Sequence, residues 1–188
     1  MRLFKVNSEQ RIAEGIRKGD NTAMRDFYAL FADYLSAICA RYVTDDDDIK
    51  DVIQDSMISI ITHIDSFAYR GEGSLKAWAT RIVINQALNF VQQQKKRNTV
   101  AADQDLKDDT PEEDPDVEGI PPDVLLEMIR QLSDGYRMVF NLYVMEGKSH
   151  KEIAQLLGIK EDSSASQLHR AKNILARKIK EYRKKHYE

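Results

Sequence analysis

Apolar residues recur every three or four positions along most of the chain, which is the spacing of one face of an α-helix. The stretch from Asn21 to Val43 shows this most clearly, with Asn21 as its cap and the apolar positions Met24, Phe27, Tyr28, Phe31, Tyr34, Leu35, Ile38 and Tyr42. The same spacing predicts a short first helix from Glu9 to Lys18 and a fourth helix from Ser74 to Arg97. Between them it predicts a third helix, whose apolar face runs from Ile49 to Ile64 and includes Ile61. No stretch alternates convincingly with period two, so the pattern predicts an all-α fold.

Helical periodicity disappears between Asn98 and about Pro121 and then returns. The interrupted stretch is rich in acids and prolines and has too few apolar residues to build a core. Pro122 can start a fifth helix, and Asp134 can cap a sixth that carries Val139, Phe140, Tyr143 and Val144 inward. We therefore predict two small helical domains, residues 8–97 and 121–185, joined by a flexible acidic linker, residues 98–120.

The stretch from Ser149 to Lys172 has the pattern of a helix-turn-helix. Ser149 stands three residues before Glu152, the spacing of a capping box, and Gly158 ends the short helix that follows. That helix is predicted to turn Ile153, Ala154, Leu156 and Leu157 inward, and Asp162 and Ser163 can cap the second helix. The residues left facing outward are Ser164, Ser166, Gln167, His169, Arg170 and Lys172. A plain helical hairpin shares these caps, so DNA binding and simple packing are both open readings.

Charge is segregated along the chain, although the net charge of the whole is only −3. Residues 101–118 hold nine carboxylates and one lysine, whereas residues 169–188 hold eight lysines or arginines and two carboxylates. A basic tail after a helix-turn-helix favours contact with phosphates. The single cysteine, Cys39, excludes an internal disulfide and suits a reducing compartment, and no apolar run is long enough to span a membrane. We expect a cytoplasmic protein without membrane insertion.

No catalytic or cofactor-binding constellation is evident. The acidic run of residues 45–48 lacks the ligand spacing of a calcium loop and is better explained as a negatively charged helix start. The four histidines are scattered, and no phosphate loop or nucleophile–base set is present. We therefore predict no metal, no cofactor and no enzymatic activity.

The fourth predicted helix carries groups suited to unpaired bases. Arg81, Asn85 and Asn89 recur every four residues, and a loop with aromatic, cationic and glycine residues precedes the helix. Stacking groups beside amides and cations are typical of single-strand recognition. Lys95, Lys96 and Arg97 at the helix end would meet phosphates. The alternative is that Trp78 is a core residue and the amides are merely exposed.

Two motifs in this order make the chain resemble the extracytoplasmic-function (ECF) group of bacterial sigma factors, the smallest members of the sigma-70 family. The second conserved region of that family resembles DVIQD (Asp51–Asp55) followed by the loop and helix RGEGSLKAWATRIVINQALNFVQQQKKR (Arg70–Arg97). The fourth resembles residues 132–178, with SHKEIAQLLGI and then LHRAK. The chain departs from the family at residues 162–165, where Gly-Thr-Val and a basic residue are usual.

The resemblance implies three sets of site residues. Asp51, Gln54 and Asp55 match positions that bind the clamp helices of the largest RNA polymerase subunit. The positions implied for the melted −10 element, including a flipped base, are Phe67, Tyr69, Arg70, Gly71, Ser74, Trp78, Arg81, Asn85, Asn89, Lys95 and Lys96. Those implied for the −35 duplex are Ser163, Ser164, Ser166, Gln167, His169, Arg170 and Lys172.

The sequence thus predicts a sigma factor that brings core RNA polymerase to specific promoters and melts the −10 region. The partners this implies are core polymerase, promoter DNA and an anti-sigma factor, and we expect a monomer when the protein is free. Two alternatives stay open: a helix-turn-helix regulator that binds duplex DNA without core polymerase, and a polymerase-binding module without DNA contact.

Overall fold

The computed structural model describes residues 8–97 and 117–187, with side chains for residues 8–95 and 117–186. Most of the predicted linker and the side chains of Lys96 and Arg97 lie outside the described residues. The helices are α1 (Ser8–Arg17), α2 (Asn21–Cys39), α3 (Asp46–Thr62), α4 (Ser74–Arg97), α5 (Pro122–Arg130), α6 (Asp134–Phe140), α7 (His150–Leu157) and α8 (Glu161–Tyr187). A 3₁₀ turn (Ile64–Ser66) follows α3 and a π-helical turn (Asn141–Met145) follows α6. The described residues contain no strand, which confirms the predicted all-α class.

The chain divides into two compact units, and the boundary falls between Phe90 and Val91, inside α4. Ile120, which belongs to the predicted linker, is buried in the core of the second unit. The sequence-predicted boundaries at residues 97 and 121 stay a prediction.

The core of the first unit lies between the apolar faces of α1 to α4. Its largest fully buried aliphatic and aromatic side chains are Tyr42, Leu35, Ile60, Leu75 and Val83. Helix α1 packs very closely on α2 at Gly15. A Cβ placed on this glycine would stand 2.4 Å from the Cβ of Ala23. Only glycine fits at that crossing, and its missing side chain lets the two helix backbones approach closely.

Two caps at the starts of α2 and α3 are aspartates. Asp20 caps α2, with its Oδ1 accepting from the backbone nitrogen of Thr22 at 2.8 Å, so the predicted cap Asn21 is instead the first helical residue. Asp45 caps α3 by accepting from the backbone nitrogens of Asp47 and Asp48. The interpretation of the acidic run as a helix start is confirmed.

Several residues predicted to face the core of the first unit are exposed. Tyr28 and Tyr34 of α2 and Ile61 of α3 lie at the surface, which corrects their assignment to the inner face. The apolar stripe of each helix is wider than the surface its neighbours cover, so the edge of the stripe stays in solvent.

The second unit is built on α8, a helix of 27 residues. Its buried residues Ala171, Leu175 and Ile179 pack against the apolar face of α5 and the start of α6, in a cluster completed by Ile120, Met128, Ile129, Leu132 and Tyr136. Pro122 starts α5 as predicted. Asp134 does not cap α6, because its carboxylate pairs at 2.5 Å with the buried guanidinium of Arg137.

The π-helical turn after α6 changes which residues face the core. The turn holds one residue more than an α-helical turn, which rotates the chain, and Leu142 is buried while Tyr143 and Val144 are exposed. The prediction that Tyr143 and Val144 are core residues was therefore wrong.

The capping box at the start of α7 is confirmed. The Glu152 carboxylate accepts from the backbone nitrogen of Ser149 at 2.9 Å, and the Ser149 hydroxyl accepts from the backbone nitrogen of Glu152 at 3.3 Å. Gly158 ends the helix as predicted. Leu156 is exposed, which corrects its inward assignment, and Ile153 is the residue of α7 that is fully buried.

Candidate nucleic-acid interface

A small pocket lies between the loop before α4 and the first two turns of that helix. Its volume is about 270 Å³, and it is lined by Ser66, Phe67, Ala68, Arg70, Ser74, Ala77, Trp78 and Arg81. Five of these residues, Phe67, Arg70, Ser74, Trp78 and Arg81, belong to the set that the sequence predicted for unpaired DNA. The fold therefore brings part of that set around one concave surface.

Short-range hydrogen bonds and two glycines shape the rim of the pocket. The Ser74 hydroxyl donates to the carbonyl of Gly71 at 2.6 Å and accepts from the backbone nitrogen of Arg70 at 3.3 Å. Gly71 and Gly73 have φ angles of 119° and 86°, which side chains rarely tolerate. Ser74 thus starts α4 and closes the loop at the same time.

The aromatic pair Phe67 and Trp78 forms one wall. The ring centroids lie 5.4 Å apart with planes tilted by 49°, a favourable aromatic arrangement. Phe67 is only 4% exposed, whereas Trp78 is half-buried. Phe67 packs against the tryptophan, and little of its own ring is accessible.

An exposed polar stripe continues from the pocket along α4. Arg81 lines the pocket, and Asn85 and Asn89 follow it at intervals of four residues, all three exposed as predicted. Lys95 is exposed near the helix end. Tyr69 is half-buried and is not one of the residues that line the pocket.

The three α3 residues Asp51, Gln54 and Asp55 are all exposed and share one face of their helix. Ile58 lies on the same face, three residues after Asp55, and is 57% exposed. Ile61 continues the stripe one turn further. Sequence reasoning missed Ile58 and placed Ile61 inward, although the spacing from Gln54 and Asp55 would have put Ile58 on the acidic face.

The helix-turn-helix places its predicted contact residues unevenly. Ser166, His169 and Arg170 are exposed, whereas Ser163, Gln167 and Lys172 are half-buried. The Ser166 hydroxyl donates to the carbonyl of Asp162 at 2.9 Å, and α8 already begins at Glu161, so Asp162 and Ser163 lie in its first turn and do not cap it.

Ser164 is completely buried, which corrects the prediction that it faces outward. Its hydroxyl lies 3.0 Å from Nδ1 of His150 at the start of α7. The ring of Tyr143 stacks on His150 with centroids 4.7 Å apart. The contact between Ser164 and His150 therefore links the two helices of the motif, while the contact of Ser164 with DNA stays a prediction.

Charged side chains at two helix ends have shifted pKa values. The backbone nitrogen of Ser149, then its hydroxyl and the nearby Lys148, hold the pKa of Glu152 below the ordinary value of 4.5. A hydrogen bond from Lys50 and its charge lower the pKa of Asp47 in the same way. Both groups stabilise helix starts. Burial raises the pKa of the Cys39 thiol to about 12, so this thiol stays protonated and inert at neutral pH.

Within residues 8–97 and 117–187, no three His, Cys, Asp or Glu side chains gather as a metal site. Across the same residues, none of the helices is long and apolar enough to cross a membrane.

Family models match two separate parts of the chain, and relatives match it over most of its length. The model of Sigma-70 region 2 matches residues 27–97, and that of Sigma-70, region 4 matches residues 123–175. The ECF RNA polymerase sigma-E factor of Haemophilus influenzae is 28% identical over 187 residues, covering 92% of this chain and 95% of the relative. That of Escherichia coli K12 is 25% identical, covering 92% and 94%.

One solved structure shows the same fold. It is the sigma factor RpoE from Bartonella quintana, solved with the anti-sigma factor NepR, which aligns with a TM-score of 0.50 at 24% identity. The alignment covers 83% of this chain and 96% of that chain.

Proposed function

Since the chain belongs to the ECF group of sigma factors in the sigma-70 family, we propose a division of labour between its two helical regions. Residues 8–97 bind core polymerase and the melted −10 element, residues 121–185 bind the −35 duplex, and residues 98–120 link them. The observation that carries this proposal is the pocket between the loop and α4, lined by Trp78, Arg70 and Arg81.

The pocket captures one base of the non-template strand. Its volume of about 270 Å³ lies just below the range of roughly 300–1,000 Å³ for sites of drug-sized ligands, as suits a single heterocycle. Flipping a base costs a few kcal/mol, and stacking on an aromatic side chain returns about 1–3 kcal/mol per base. Stacking on Trp78 with hydrogen bonds from Arg70 and Arg81 can offset the cost without nucleotide hydrolysis.

Asn85 and Asn89 extend the interface along the neighbouring bases, with Lys95 and Lys96 at phosphates. The stripe runs from the pocket along one exposed face of α4. Amide groups can both donate to and accept from base edges, so this stripe holds the strand after it has separated.

The exposed face of α3 binds the clamp helices of the largest polymerase subunit. Asp51, Gln54 and Asp55 supply polar contacts, and Ile58 supplies an apolar one. Exposed apolar groups rimmed by charges are typical of protein–protein contacts. This face makes promoter binding depend on core polymerase.

The second helix of the helix-turn-helix enters the major groove of the −35 element. Ser166, His169 and Arg170 are exposed for base or phosphate contacts, with Gln167 and Lys172 beside them. The basic half of α8 then meets phosphates, which adds affinity without sequence information. Ser163 lies at the edge of this surface.

The protein acts in the cytoplasm, where core polymerase works, and it catalyses no reaction of its own. The solved relative was captured with an anti-sigma factor, and we extend that class of partner to this chain. Bound to such a factor, the free sigma would be withheld from core polymerase.

Transcription with purified core polymerase on a library of genomic fragments tests the proposal. We expect the protein to co-purify with core and to start transcription on a defined subset of fragments. The charge reversal Asp55→Lys on the α3 face should abolish both, whereas Asp33→Lys, at an exposed carboxylate of α2, should not.

Two results would contradict the proposal. Specific retention of duplexes by the protein alone, with no affinity for core, would make it a helix-turn-helix regulator. Stable binding to core without any initiation would make it a polymerase-binding module.

A further inference from the structure

Helix α1 touches both ends of the loop that borders the pocket. At one end, Glu9 is only 6% exposed, and its Oε2 accepts from the backbone nitrogen of Leu75 at 3.0 Å. Leu75 is the second residue of α4, so its N–H is one of those that lack a partner within the helix. A carboxylate at this position also interacts favourably with the helix dipole.

At the other end, Arg17 holds the chain just before the loop. Its guanidinium donates to the carbonyl of Ile64 at 3.3 Å and to the carbonyl of Phe67. The side chain also lies 3.9 Å from the Asp65 carboxylate. These contacts attach the end of α1 to the 3₁₀ turn that precedes the loop.

The helix that carries these two residues is itself rigidly packed. Ile12, Ala13 and Ile16 are buried, and Gly15 crosses α2 at close range. Glu9 and Arg17 stand at opposite ends of α1, which spans Ser8–Arg17. A single fixed helix therefore sets the separation between residue 67 and residue 75, the two ends of the loop.

We propose that Glu9 and Arg17 are positioning residues that fix the shape of the pocket and thereby select the base it accepts, without touching DNA. The inference rests on the proposed function, because it assumes that the pocket binds a base. The loop's own bonds close only its second half, between Arg70 or Gly71 and Ser74. With both ends fixed from outside, the loop loses little conformational freedom when a base enters, and a small pocket of fixed shape discriminates between bases.

Hydrogen exchange in the free full-length protein tests the positioning itself. Glu9→Ala should speed exchange of the Leu75 amide and of the amides of residues 67–74 by about tenfold, as expected for the loss of a hydrogen bond to a charged group. Glu9→Gln, which keeps an acceptor, should restore most of the protection, and Arg17→Lys should restore part of what Arg17→Ala loses.

Ile12→Val is the matched control, because it weakens the packing of the same helix and leaves the loop bonds in place. If Glu9→Ala and Arg17→Ala raise exchange evenly over α1 to α4, as this control should, the two residues are only structural and the proposal fails.

Selection of base preference tests the consequence. Random-sequence single-stranded DNA is bound to the complex of core polymerase and the protein, and the retained strands are sequenced. We expect wild type to enrich one base at a single position, and Glu9→Ala and Arg17→Ala to lose that preference about tenfold while Ile12→Val retains it. Affinity for core should not change.

The outcomes separate the two proposals. Absence of any base preference in the wild type would overturn base capture itself. A clear wild-type preference that both alanine variants keep would leave base capture intact and overturn the positioning role of α1.

Discussion

Nδ1 of His150 and the hydroxyl oxygen of Ser164 lie 3.0 Å apart, and this contact joins the first turn of α7 to the first turn of α8. Tyr143, in the π-helical turn before α7, stacks on the same imidazole ring. Ser164 has no accessible surface. A buried serine that was predicted from the sequence to contact DNA thus links the two helices of the motif.

Ser164→Ala should lower the free energy of unfolding by about 1 kcal/mol, because one buried hydrogen bond is lost. The preference of this variant for the −35 sequence should be the same as that of the wild type. Urea denaturation and duplex selection measure the two effects. Ser166→Ala is the control, since Ser166 is exposed and its change in stability should stay within about 0.5 kcal/mol. A stable Ser164→Ala protein with altered preference would show that Ser164 reads DNA.

Arg81→Ala should reduce affinity for single-stranded −10 DNA about tenfold when the protein is bound to core, because one charged hydrogen bond to the strand is lost. Affinity for core should not change. Fluorescence anisotropy with a labelled strand gives both values. Arg25→Ala, an exposed arginine of α2 outside the pocket, serves as the matched variant. Equal losses in the two variants would mean that only general charge matters.

Ile58→Ser should weaken binding to core polymerase by about tenfold or more, because burying an isoleucine contributes roughly 1.5–3 kcal/mol. Stability should hardly change, since Ile58 is 57% exposed in the free protein. Leu30→Ser, at a similarly exposed aliphatic residue of α2, should bind core normally. Biolayer interferometry on immobilised core measures the dissociation constants. Unchanged binding of Ile58→Ser would place the clamp contact elsewhere.

Cys39 should resist thiol reagents in the folded protein. Burial raises the pKa of its thiol to about 12, and the side chain is fully buried. We expect reaction with Ellman's reagent at pH 8 only after urea unfolds the protein. Rapid labelling under native conditions would show that the first unit opens locally at α2, and Cys39→Ser provides the blank.

The capping box of α7 should make stability depend on acidity. The hydrogen bonds from Ser149 lower the pKa of Glu152 in the folded state, so their contribution is complete above the ordinary pKa and is lost as pH falls through the lowered value. Between about pH 5 and pH 3, the free energy of unfolding of Glu152→Gln should therefore fall less steeply than that of the wild type. Urea titrations across this range test it, with Glu181→Gln, an exposed carboxylate of α8, for comparison. Identical curves for the two variants would exclude a role for the box.

The accuracy of the sequence predictions follows the range of the interactions involved. The capping box of Ser149 and Glu152 and the start of α5 at Pro122 were predicted correctly, because each depends on residues within one turn. Arg81, Asn85 and Asn89 were placed correctly on one exposed face for the same reason. Tyr28, Ile61 and Leu156 were placed wrongly, since burial depends on which neighbouring helix covers the stripe and local spacing carries no such information.

By itself, the sequence determined the helical class, the family and the chemistry available on α3, α4 and α8, because helix periodicity, caps and motif order are all written in short-range spacing. Only the tertiary structure decided which of those groups meet. It gathered Arg70, Trp78 and Arg81 around one pocket. It turned Ser164 inward against a histidine fourteen residues away and fastened the ends of the pocket loop to Glu9 and Arg17. Such contacts join residues from separate helices, and the packing of the core, not local propensity, brings them within hydrogen-bonding distance.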